Sequence, residues 1–429
     1  MATRTGQPTA HDAAAAQAAV VAANRAFMRG SIERIAYCPV TGGSGTSATY
    51  TPGSTLYFDL PVVGSGYAKA LLITYNLNFT LNNTSTYNTN AAAPWNIFSE
   101  VKLDYGNTQI RTHPYFLKVL DQIKGFQTGE RNRVLSGNND ATIASNIVGA
   151  IPITADGSTN NQWKGKMLIR LNALGEDSVP GVLPIMGVGN KPQLKLTCTS
   201  NFIGNDPLLN PIANPSGSSP AATFATTNTT DTNSSVIKVD VVYLDGTNMA
   251  GPAPLQLNLA GEPTIQYIWD APLTPFAAAS LQRQRFITLL EHWYAVSIVI
   301  DGNQSSTFAA LSNLTGFQLS PDGTGQNVFK NWNISNNVSI YDYFDRDVRR
   351  NHGQDLDPGV ILWVDAPARG ITSPDNRHGH QVLNMQPNGG FTAATHAYQV
   401  GSVTTTTSGL TPRVETFLLS MNYDGLRTQ

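Results

Sequence analysis

His378 and His380 stand one residue apart, a spacing that places two imidazoles on one face of a strand, where they can share a divalent metal. A site of that kind also takes a carboxylate three or four residues further on. Leu383 and Asn384 hold those places and the next Glu is Glu415, so a polar loop fits the pair better than a metal centre. Asp345, Asp347, Asp355 and Asp357 form an acidic cluster. A calcium loop counted from Asp345 needs Gly at its sixth position and Glu at its twelfth, and these are Arg350 and Leu356. With Arg346, Arg349 and Arg350 interleaved, the cluster reads as ion pairing at a subunit or domain contact. Gly42-Gly43-Ser44-Gly45 lacks the Lys of a phosphate loop, and no G-x-S-x-G elbow is present. Cys38 and Cys198 are too few for a disulfide framework and lack metal-ligand spacing, which leaves two buried thiols. His113, before Pro114, and His292, beside Trp293, read as structural histidines. Trp163, Trp269 and Trp332 could together form a stacking platform for a sugar. The expectation is a non-enzymatic protein with no metal and no cofactor, with a carbohydrate-binding or glycan-processing β-sandwich as the alternative.

The elements that would carry these residues are strands. Leu71 to Leu81 alternates strictly from Ile73, with Ile73, Tyr75, Leu77, Phe79 and Leu81 on one face and Thr74, Asn76, Asn78 and Thr80 on the other. Similar segments are 100–103, 166–171, 193–198, 236–244, 265–269, 295–300, 338–341, 360–364 and 414–421. Strands at this density, with no helices at regular intervals, predict an all-β fold of sandwiches. Two signals recur in the same order. Trp95-Asn96-Ile97 is followed by Val101 and Leu103, and Trp332-Asn333-Ile334 by Val338 and Ile340 at the same spacing. Each half then closes on a strand ending in Asp-Gly, at Asp245-Gly246 and Asp424-Gly425. Together they suggest two copies of one sandwich, residues 31–247 and 263–429, joined by a Pro-stiffened linker at 248–262. The polar stretches 125–162 and 200–235 lengthen the first copy and are expected to stand outside the sandwich as loops.

Ahead of the strands, His11 to Arg29 is Ala-rich and helical in character, with Thr9 and Asp12 placed as a capping box and Gly30 as the C-terminal cap. Its apolar side, Val20, Ala23, Phe27 and Met28, is thin, and Arg25 and Arg29 lie four apart on one face. A helix that buries so little must dock to persist. Residues 1–30 are therefore expected to form an arm ordered by a partner surface. Its contact residues would be Arg4, Arg25, Phe27, Met28 and Arg29, facing anionic lipid headgroups or an acidic protein surface. An ordinary helix packed on its own domain is the alternative, and a signal peptide fits poorly because Gln17 interrupts the run.

Of the 429 residues, 41% are hydrophobic and 13% charged, against about 25% charged in ordinary soluble domains. Thr, Asn, Ser and Gly must cover the surface instead, which disfavours helix-rich folds. With 27 basic and 29 acidic residues, a direct grip on duplex nucleic acid is not expected. No run reaches the roughly 18 apolar residues of a membrane span.

An Ala-rich basic helix followed by two successive sandwiches carries a resemblance. The residues are Ala16-Gln17-Ala18, Pro94 to Tyr105 (PWNIFSEVKLDY), Lys191 to Leu196 followed by Asn205-Asp206-Pro207-Leu208, and the Gly359 to Val364 strand. The chain resembles the double jelly-roll major capsid proteins of tailless icosahedral phages with an internal membrane, the tectivirus-like group. The resemblance implies two tandem jelly rolls and a homotrimer whose six rolls make a pseudo-hexagonal capsomer. It also implies an N-terminal helix beneath the capsomer at the viral membrane and first-half loops projecting as towers. Partners would be neighbouring capsomers, minor capsid and vertex proteins, with no direct nucleic acid contact. The location implied is the virion capsid, assembled in the host cytoplasm.

Overall fold

The structure, a computed structural model, describes residues 10–43, 45–82, 86–105, 108–123, 132–136, 139–143, 152–154, 160–171, 182–185, 191–204, 206–214, 222–224, 234–247, 257, 264–270, 282–287, 291–300, 316–320, 330–333, 359–365, 383–384, 395–400 and 413–422. Helix α1 (Ala10–Gly30) leads into eight principal strands: β1 (Ile32–Tyr37), β2 (Thr55–Asp59), β3 (Gly66–Leu81), β4 (Phe98–Tyr105), β5 (Thr108–Thr112), β6 (Asn161–Arg170), β7 (Gln193–Cys198) and β8 (Val236–Asp245). A second helix, α2 (Pro114–Ile123), follows β5. Eight more strands complete the chain: β9 (Thr264–Asp270), β10 (Gln282–Ile287), β11 (Glu291–Ile300), β12 (Gly316–Ser320), β13 (Lys330–Asn333), β14 (Val360–Asp365), β15 (Thr395–Val400) and β16 (Arg413–Asn422).

The pairing is nested. In the first set the first strand pairs antiparallel with the eighth, the second with the seventh, the third with the sixth and the fourth with the fifth. The second set repeats this scheme as β9 with β16, β10 with β15, β11 with β14, and β12 with β13. Each set folds into two facing sheets, ordered first-eighth-third-sixth and second-seventh-fourth-fifth. That is a jelly roll, and the chain is an all-β double jelly roll. The two rolls share one sheet, because β5 of the first runs parallel to β9 of the second through Ile110 and Tyr267.

The alternation in β3 has the expected cause. Ile73, Tyr75, Leu77, Phe79 and Leu81 are buried, and they meet Trp163, Met167 and Ile169 from β6 and Ile237, Val239 and Val241 from β8. Asn78 breaks the polar-out rule, being fully buried. Its amide donates to the Ser235 hydroxyl at 3.0 Å, its side chain donates to the Ser234 carbonyl at 3.1 Å and accepts from Gln162 at 3.0 Å. A buried amide so supplied costs little and pins the strand register.

Three expectations change. Part of 125–162 is sheet: a hairpin, Asn132–Ser136 with Asn139–Ile143, extends the first sheet beyond β6. Within 200–235, Phe202, Leu208, Ile212 and Phe224 are buried in the core, with Phe202 and Phe224 rings 4.9 Å apart. Apolar residues scattered in a polar stretch still seek the core, so these segments close the sandwich end as well as connecting strands. The tryptophan half of the internal repeat also fails. Trp95-Asn96-Ile97 is a 3₁₀ turn ahead of the fourth strand, whereas Trp332-Asn333 ends β13, a fifth strand. Of the Asp-Gly half, Asp245 is the last residue of the eighth strand β8, whereas Asp424-Gly425 lies outside the described residues.

Candidate assembly surfaces

The last turn of α1 is clamped to the first roll. Phe27 and Met28 are buried in a cluster with Tyr67, Val182, Leu244 and Leu257, and the Phe27 ring meets Tyr67 edge-on at 5.4 Å. The Ser31 amide donates to the Phe27 carbonyl at 2.8 Å, closing the helix where Gly30 was expected to cap it. Earlier turns show Ala15, Ala16, Ala18, Ala19, Ala22 and Ala23 to solvent, while Asn24 is buried. Of the five arm residues, Arg25 and Arg29 are exposed, Phe27 and Met28 face inward onto the chain's own roll, and Arg4 lies outside the described residues. Phe27 and Met28 are thus anchors of the arm: an aromatic ring gains more from a preformed apolar pocket than from solvent exposure. Among the described residues, no helix is long and apolar enough to cross a membrane.

The strand that follows the clamp, β1, ends its sheet. Residues 39–41 then run along β2, where the Thr41 amide donates to the Tyr57 carbonyl at 3.0 Å and the Asp59 amide to the Pro39 carbonyl at 2.9 Å. The outer strands of both sheets therefore meet on one side of the first roll. Among the described residues the exposed large hydrophobic side chains are Ile32, Ile35 and Tyr37 on β1, Tyr57 on β2, and Val62 in the connection after β2. Asp245 holds β1 in place. It accepts from the Thr247 hydroxyl at 2.6 Å and amide at 2.9 Å and from Ser65 at 3.2 Å, and it pairs with Arg34 at 2.8 Å.

The opposite side of the first roll is covered by the second. Every residue of α2 is buried. His113 accepts through Nδ1 from the Tyr115 amide at 3.1 Å, serving as the cap of α2, and Pro114 takes the first helical position, where no amide is needed. Phe116 stacks on Phe417 of β16 at 5.3 Å, and Trp269 stacks on the same Phe417 ring at 5.6 Å. Asp121 pairs with Arg170 at 3.2 Å, and the Tyr267 hydroxyl donates to the Arg170 carbonyl at 2.9 Å.

The chemistry weighed from sequence resolves as follows. Trp163 is wholly buried in the first core and Trp269 lies in the seam, donating to Glu415 at 2.8 Å, so these two cannot share a sugar platform; the side chain of Trp332 lies outside the described residues. Cys38 and Cys198 are free, buried thiols. Burial, then the charges of Asp240 and Asp59, pushes the Cys38 thiol up to about 12, and burial pushes Cys198 up to about 11. Both stay protonated at neutral pH and inert. His378, His380 and the acidic cluster at 345–357 lie outside the described residues. Sequence reasoning missed β1 as a surface, although Ile35 and Tyr37 in a run with Glu33 and Arg34 carried a signal: apolar side chains on a strand with no alternation.

No protein-family model matches the chain, and no curated protein matches it in sequence. Solved structures do share its fold. The crystal structure of the STIV MCP aligns with a TM-score of 0.54 at 12% identity over 92% of this chain and 100% of that one. The atomic structure of Sulfolobus Turreted Icosahedral Virus gives 0.51 at 11% identity over 92% and 94%, and the Faustovirus major capsid protein 0.50 at 7% over 91% and 90%. The chain therefore has the double jelly-roll fold seen in major capsid proteins of icosahedral viruses.

Proposed function

We propose that this protein is a structural, non-enzymatic major capsid subunit. The observation that carries the reading is the repetition of one nested eight-strand scheme in two rolls joined by a common sheet, a fold shared over 92% of the chain with a viral capsid protein. Two equivalent rolls per chain suit a homotrimer, since three copies then supply six similar units for a pseudo-hexagonal capsomer. The low charge supports lateral packing. Charged residues are depleted at interface centres, and Thr or Asn can hydrogen-bond there without the several kcal/mol cost of burying an unpaired ion. Segments between the principal strands of the first roll would build the outward towers. Neighbouring capsomers, minor capsid proteins and vertex proteins are the partners on this reading, in a virion assembled in the host cytoplasm, with no direct nucleic acid contact.

The arm gives the reading its orientation. Arg25 and Arg29, exposed on a helix whose last turn is clamped, would lie beneath the capsomer against the headgroups of an internal membrane, as in a tectivirus-like particle. Light scattering tests the central step: the purified protein should run at about 138 kDa, three times 46.0 kDa. A monomer retained on a polysaccharide column would instead establish the carbohydrate-binding alternative.

A further inference from the structure

Asp245-Gly246 and Asp424-Gly425 match in sequence, and the strand ladders show which faces of the two first strands correspond. Ile35 and Tyr37 lie opposite Val242 and Asp240. Ile265 and Tyr267 lie opposite Met421 and Leu419. Val242 and Met421 each precede their Asp by three residues, and Asp240 and Leu419 by five. Both sets of partners are an odd number of residues from their Asp, so Ile35 and Tyr37 share on the first strand of their roll the face that Ile265 and Tyr267 share in the other.

Their surroundings differ. Ile265 and Tyr267 are each 2% exposed, whereas Ile35 is 65% and Tyr37 61% exposed. What covers Tyr267 is the neighbouring roll: β5 runs beside β9, the Phe116 ring of α2 sits 6.2 Å from Tyr267, and the Arg170 carbonyl accepts its hydroxyl. The fifth-strand side of one roll thus receives the first-strand edge of the next.

We infer that Ile35 and Tyr37 dock a second copy of this chain, which presents the fifth-strand side of its second roll, the side carrying β13. Both β1 and β13 end their sheets among the described residues, so each has an edge to offer. An edge strand with two such apolar side chains turned outward invites pairing unless something covers it. The contact is head to tail: each copy owns one half of it at each end, and the chain of contacts stops only when a ring closes. The inference rests on the self-assembling capsid subunit proposed above and assigns that assembly its contact.

Two experiments test it. The Ile35→Asp/Tyr37→Asp variant changes only side chains exposed in the single chain and should keep the wild-type circular dichroism and a cooperative melting transition while falling from the trimer mass to 46.0 kDa. In the second, Tyr37→Cys and Asn331→Cys chains are co-expressed and treated with a bismaleimide, the native Cys38 and Cys198 being buried. Cross-linked chains should form in the mixture and not with either variant alone. Cross-linking of Tyr37→Cys to itself would mean a twofold β1 contact and would overturn the inference, as would a double variant that remains trimeric beside a trimeric wild type. A monomeric wild type would instead defeat the capsid reading on which the inference stands.

Discussion

Asp245 shows how one carboxylate can set an edge. The Thr247 hydroxyl and amide hold it below the ordinary carboxylate range, with Ser65 and Arg34 adding to the effect and burial opposing it. A folded-state value below the unfolded one, about 3.9, means that its stabilisation is complete above that pH and is lost as pH falls through the folded value. Asp245→Ala should therefore cost about 1 to 3 kcal/mol at pH 7 in urea unfolding, with the gap to wild type shrinking towards pH 2. A gap independent of pH would mean that the charge plays no part. The thiols make a second residue-scale case. Cys38 and Cys198 should resist maleimide at pH 7.5 until the protein is unfolded, and rapid labelling of the native protein would contradict their burial.

At the scale of elements, the clamp docks the last turn of α1 on the first roll. Removal of residues 1–23 should leave the melting temperature within about 2 °C of wild type, because only Asn24, Phe27 and Met28 among the described residues of the helix are buried. Removal through residue 29 should lower it clearly, since a buried aromatic side chain is lost; equal melting of both truncations would show the clamp to be dispensable. Arg25→Ala/Arg29→Ala should weaken flotation with anionic vesicles by up to about thirtyfold at low salt, at about 1 kcal/mol per basic residue, and leave neutral vesicles unaffected. Strands buried on one face were legible in the sequence: β3, β7, β8 and β16 all alternate or run apolar. What escaped were elements whose burial follows another logic. β1 is exposed on both faces and so shows no period, and β10, Gln282–Ile287, is largely Gln and Arg. Helix α2 is buried all round, so Tyr115, Phe116, Leu117, Val119 and Leu120 read as core without a helical stripe, although Pro114 at its first position marked a start.

For the whole molecule, a chain with few charges and two equivalent rolls is half of an argument that assembly completes. The seam inside one chain, built from α2, β5, β9 and β16, is a working sample of how one roll can cover another, and Ile35 and Tyr37 mark where the sample would be repeated. The candidate surface was only partly legible in the sequence. Arg25 and Arg29 could be placed on one helical face by spacing, but the inward turn of Phe27 and the outward turn of Tyr37 depend on long-range packing that spacing does not encode. Electron microscopy of the purified oligomer tests the account most directly. It predicts a threefold ring of six upright jelly rolls in which β1 of each chain abuts the second roll of the next. A monomer, or a twofold dimer joined through β1, would contradict it.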